Sequence, residues 1–212
     1  MLAYKFTRPG AVSPFSRFSW PMPAGGRPGE WVEASESLPC RAGIHACRPA
    51  QLPYWLAAEL WAIELDGEVV ETADKVVARR GRLVEAVGAW TGGGAAAFAA
   101  DCAFRARDLA TEALGAAGAG EGAGALAACA DLAALLAGTR SLAGRFSGLA
   151  DLLVAYAGDS AFFAQDGQVP LAAYVTTVAA ADAAAGGRHQ DATSPAARDE
   201  RARQGAWLAA ML

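Results

Sequence analysis

Alanine supplies 55 of the 212 residues, and where those alanines fall constrains the fold more than any motif does. Residues 1–90 hold 14 of them, together with 8 of the 10 prolines and 5 of the 6 tryptophans; residues 91–212 hold the other 41. Alanine is the strongest helix former, whereas proline breaks regular structure and large rings favour strands. The chain therefore reads as α+β, with a small aromatic-rich, β-containing amino-terminal region over 1–90 and an alanine-rich helical bundle over 91–212. This division is compatible with the two regions packing as one domain.

In the first region Tyr4–Phe6, Trp31–Val32, Gly43–Cys47 and Lys75–Ala78 read as short strands bounded by Pro or Gly. The apolar run Leu60–Leu65, then Asp66-Gly67, then Glu68–Val70, predicts a hairpin turning at Asp-Gly, because both central residues of a type I′ turn need positive φ. Pro53–Ala58 reads as one or two helical turns. From Arg82 the spacing of Leu83, Val87 and Trp90 follows one helix face, and Gly92-Gly93-Gly94 marks a joint.

Five helices are expected beyond the joint, over about 95–115, 123–138, 141–157, 170–185 and 195–212. The third carries a seam of Leu142, Phe146, Leu149, Leu153 and Tyr156. Phe98, Phe104, Leu109, Phe146, Phe162, Phe163 and Trp207 are the expected core or interface residues. The alternating Gly118, Gly120, Gly122 and Gly124 read as a flexible linker, since G-x-G-x-x-G spacing fails and no strand precedes them.

A net charge of −4 argues against nucleic acid as partner, because phosphate binding needs a basic face. The longest uncharged windows, Ala86–Ala100 and Gly167–Ala181, have 15 residues each, short of a membrane span. The amino terminus lacks the basic-then-apolar run of a secretory signal, so a cytoplasmic location with reduced cysteines is expected. No Walker A lysine, H-E-x-x-H or G-x-S-x-G elbow is present.

Two constellations remain as candidate sites. Cys40, His45 and Cys47 form a C-x4-H-x-C segment whose thiolates and imidazole suit zinc, although a closed structural site needs a fourth ligand and none is nearby. The bland reading makes Cys47 a small buried hydrophobe and has His45 bonded to backbone; a third makes His45 a general base beside a thiol nucleophile. The second constellation is aromatic and basic. Trp20, Trp31, Tyr54, Trp55 and Trp61, with Arg79, Arg80 and Arg82, read as core rings and a solvated turn, or as a groove for a ligand or partner.

The stretch from Cys40 to Val84, with Gly-Ile-His-Ala-Cys, Leu-Pro-Tyr-Trp-Leu, Glu-Leu-Trp-Ala-Ile-Glu-Leu-Asp-Gly-Glu-Val and Arg-Gly-Arg-Leu-Val, resembles a group of uncharacterised actinobacterial proteins. The shorter Gly-Ile-His-Ala-Cys followed by Asp-Gly is also similar to small bacterial and phage domains without assigned function. The resemblance covers about a fifth of the chain and implies no activity and no catalytic residue. The expectation is a non-catalytic binding or interaction protein with a protein partner or self-association, no nucleic acid, no membrane and no cofactor. The alternatives are a zinc protein or enzyme centred on Cys40, His45 and Cys47, and an obligate oligomer with a structural role.

Overall fold

The computed structural model describes residues 1–190 and 193–212. The protein is α+β: an antiparallel five-stranded sheet within residues 2–86 is followed, among the described residues, by six α-helices. Two compact units divide the chain, one formed by Met1–Ala95 with Gly205–Leu212 and the other by Ala96–Gln204.

The sheet contains β1 (Leu2–Thr7), β2 (Val32–Glu33), β3 (Ile44–Ala46), β4 (Glu59–Glu71) and β5 (Val76–Ala86). β1 pairs with β4, β4 with β5, and β2 and β3 share the far side of β5. Cys47, immediately after β3, then exchanges both backbone hydrogen bonds with Tyr4 of β1, at 2.9 and 2.7 Å. A single bridge, Tyr4–Cys47, thus carries the order β1–β4–β5–β3 back to β1, and the sheet forms a small barrel closed at that one point. Ala3, Ile44, Ala46, Trp61, Ile63, Leu65, Val76, Ala78 and Leu83 fill it, joined by Ala11 and Trp20 from the loop after β1.

The hairpin exists, but its turn is not at Asp66-Gly67. β4 runs straight through that dipeptide, and its register against β5 shifts between Asp66 and Val69. Gly67 takes φ +82° and Asp66 Oδ1 accepts its N–H at 2.9 Å, so the positive φ that favours a turn is used in a bulge. The chain reverses at Thr72–Lys75, where the Thr72 N–H donates to the Lys75 carbonyl. Arg82–Ala86 likewise continues β5, with Leu83 paired to Ile63 in the barrel, so the expected helical face from Arg82 is strand. Pro49–Tyr54 forms a 3-10 turn, earlier than Pro53–Ala58.

Helical geometry is interrupted at Gly92 and Gly93, the expected joint, before α1 (Ala95–Ala116). The others are α2 (Gly120–Ala127), α3 (Leu132–Leu142), α4 (Gly148–Gln165), α5 (Val169–Ala184) and α6 (Pro195–Ala209). Two expectations change here. The glycine-rich segment is helical in α2, and Asp131 starts a separate α3 by accepting the Ala134 N–H at 2.8 Å. The proposed seam is split, because Leu142 closes α3 and Phe146 lies in the following loop.

Alanine fills the buried positions of α1 at Ala99, Ala103, Ala106 and Ala110, which lets neighbouring backbones come close. The Thr176 hydroxyl of α5 donates to the Cys102 carbonyl of α1 at 2.9 Å and lies 3.1 Å from Ser160 Oγ of α4. Phe98 and Leu109 are buried as expected; Phe162 is exposed. No helix among the described residues is long and apolar enough to cross a membrane.

Candidate functional site

The most chemically dense region of the first unit surrounds β3. The preceding loop turns back at Leu38–Ala42, placing Cys40 in the left-handed region at φ +64°, which a side chain other than glycine's rarely adopts. Its N–H donates to His45 Nε2 at 3.3 Å, and the other side of the ring bonds to the Gly43 backbone. Burial, then the positive charges of Lys5 and Lys75, push His45 below the usual imidazole range, which favours the neutral ring that accepts the Cys40 N–H at Nε2. Cys47 is buried, and burial raises its thiol to about 12. Cys40 is exposed, unlike the other three cysteines. Among the described residues no group of three or more His, Cys, Asp or Glu side chains is arranged to hold a metal ion.

What composition hid is that both lysines of the chain, two among 18 basic residues, converge on His45. Lys5, on β1, donates to the His45 carbonyl at 2.7 Å and lies 5.2 Å from the centre of the Trp20 ring. Lys75, at the end of the β4–β5 turn, donates to Cys40 Sγ at 3.1 Å, pairs with Asp74 at 3.2 Å and lies 4.8 Å from the Trp55 ring centre. Each tryptophan carries a phenylalanine edge-on, Phe18 on Trp20 at 5.5 Å and Phe15 on Trp55 at 6.0 Å. Two Phe–Trp–Lys stacks therefore flank one histidine. Their lysines differ electrically. Burial lowers Lys5 to about 8, and among the described residues it has no ion pair; Lys75 is raised, its contacts with Cys40 and Asp74 outweighing its burial.

Both phenylalanines belong to the loop after β1, and Glu59 fixes its root. One carboxylate accepts from the Gly10 N–H (2.8 Å), the Ala11 N–H (2.9 Å), Thr7 Oγ1 (3.1 Å) and Trp61 Nε1 (3.1 Å). These bonds hold Glu59 below the usual carboxylate range despite its burial. Further along, the Ser13 N–H donates to the Phe18 carbonyl at 2.8 Å and Trp20 Nε1 donates to Ser13 Oγ at 2.8 Å. The loop is thus fixed at both ends while Phe15 is 81% exposed and Phe18 43% exposed.

The remaining expected residues are spread out. Trp20 and Trp61 are buried in the barrel, Tyr54 is exposed, and Trp55 is half-buried. Trp31 lies between two guanidinium groups, with Arg80 and Arg82 each 4.4 Å from its ring centre. Both arginines already have carboxylates: Arg80 reaches Glu33 and Asp66, and Arg82 reaches Glu64 at 2.7 Å. Arg79 is exposed on β5. Phe15, Phe18, Lys5 and Lys75 are the members that sequence reasoning missed, and the scarcity of lysine was the signal available for two of them.

No protein-family model, curated protein or solved structure matches the chain.

Proposed function

We propose that the first unit is a non-catalytic binding module acting in the cytoplasm, and that its loop after β1 contacts a protein or peptide presenting apolar side chains. The observation that carries this reading is the pair of exposed phenylalanines on a loop whose backbone is already fixed. An ordered loop loses little entropy on binding, and an exposed ring with a rigid tryptophan behind it is a good anchor. The engagement of His45 Nε2 by the Cys40 N–H and the burial of Cys47, which raises its thiol, support binding over nucleophilic chemistry at Cys47.

Panning a phage-displayed peptide library against the full-length protein tests the reading. Selected peptides are expected to be rich in apolar residues and to lose at least tenfold in affinity against the Phe15→Ser/Phe18→Ser double variant, whose thermal midpoint should stay close to wild type. Selection of no peptide, or of peptides that bind the double variant equally well, would remove it.

A further inference from the structure

Cys40 and Lys75 are placed for chemistry with each other. The ammonium side chain is 5% exposed, with Trp55 beside it and Asp74 at 3.2 Å, so it has little room to swing away from the sulfur. Cys40 is held from the other side by its N–H bond to His45 and by the loop reversal at Leu38–Ala42. The result is an exposed thiol and a confined amine at 3.1 Å, brought together from positions far apart in the sequence. Susceptibility to oxidation follows exposure, and Cys40 is exposed, whereas Cys47, Cys102 and Cys129 are buried.

We propose that Cys40 and Lys75 form a peroxide-responsive covalent pair, in which hydrogen peroxide oxidises Cys40 and Lys75 traps the product as a sulfur–nitrogen link. In the first step the Cys40 sulfur attacks a peroxide oxygen. The O–O bond breaks, sulfur loses two electrons, the departing oxygen takes the thiol proton, and Cys40 becomes a sulfenic acid with release of water. After Lys75 has given one proton to solvent, its nitrogen lone pair attacks the sulfur. The S–O bond breaks as the S–N bond forms, and hydroxide leaves with a second amine proton as water. One peroxide is consumed, two waters are released, and the loop at Leu38–Ala42 becomes tied to the β4–β5 turn. Attack by one external thiol on sulfur breaks the S–N bond, frees the Lys75 amine and leaves a mixed disulfide on Cys40; a second thiol then releases Cys40 and forms the reductant's disulfide.

The test is mass spectrometry of the full-length protein treated with one equivalent of hydrogen peroxide. The expected product is lighter by about 2 Da, the loss of two hydrogens, yields a linked peptide pair containing Cys40 and Lys75, and reverts with dithiothreitol. Cys40→Ser should give no link, and Lys75→Arg should leave an unlinked sulfenic acid that dimedone traps. Mapping in the wild type decides the matter even if Lys75→Arg fails to fold. A wild-type product carrying dimedone-reactive or over-oxidised Cys40 without the link overturns the proposal, as does a disulfide between Cys40 and another cysteine.

Discussion

Lys5 carries a charge that the first unit accommodates poorly, and pH reads this out. Burial lowers its folded pKa from 10.5 to about 8, so between those values the unfolded chain binds more protons than the folded one. Stability conferred through this residue must therefore rise with pH across about 8 to 10.5, and the penalty is fully present below 8. Discounted for partial exposure, it is on the order of 2 kcal/mol. The buried thiols of Cys47 and Cys102 act in the opposite sense above 9, because the unfolded chain ionises there and the folded one holds on to about 12. The difference between wild type and Lys5→Met isolates the lysine. Urea midpoints measured from pH 7 to 10.5 should show wild type gaining on the variant as pH rises, and a flat difference would show that Lys5 is not desolvated. Such a residue was legible as rare, but its environment was not, since Trp20 and His45 reach it through tertiary pairing alone.

At the scale of elements, two glycines of the β4–β5 hairpin serve different ends. Gly67 has open space around an added Cβ but a positive φ, so Gly67→Ala should cost about 1 kcal/mol through backbone strain. Gly81 is crowded: a Cβ there would meet Leu65 Cδ2 at 3.0 Å, Ile44 Cγ2 at 3.1 Å and the Glu64 carbonyl at 3.2 Å. Gly81→Ala should cost about 1–3 kcal/mol by overpacking, and Gly81→Val more. Urea denaturation with unchanged slope would confirm that only stability moved; a neutral Gly81→Ala would mean that this side of the barrel is loosely packed. The same hairpin shows what sequence reading can reach. Its strands were legible because Leu60–Leu65 and Val76–Ala78 are apolar and β-prone. Its turn was not, because Asp-Gly serves a bulge as readily as a type I′ turn, and only pairing with β5 decides. In the helical unit the alanine content announced helices, but their breaks depended on single caps such as Asp131, and glycine in α2 gave way to packing near Phe146 and Leu142.

For the whole molecule, the unequal distribution of tryptophan offers a practical handle. All six tryptophans belong to the unit formed by Met1–Ala95 and Gly205–Leu212, so tryptophan fluorescence follows that unit alone. Its last eight residues are integral to it: Gly205 lies close enough to Ala50 that an added Cβ would stand 3.2 Å from the Ala50 backbone, and Leu208 is fully buried. Ending the chain after Gln204 should therefore lower the urea midpoint followed by tryptophan fluorescence, by an amount corresponding to about 2 kcal/mol or more for the loss of buried Leu208. An unchanged midpoint would show that the barrel is self-sufficient. The barrel itself is completed at one seam, the two hydrogen bonds between Tyr4 and Cys47. The hairpin beside it joins sequence neighbours, whereas this seam must bring together segments separated by two loops and gains its bonds only after that closure. That separation predicts late formation of the seam, so a change that weakens the Tyr4–Cys47 pairing should speed opening of the folded barrel more than it slows its formation.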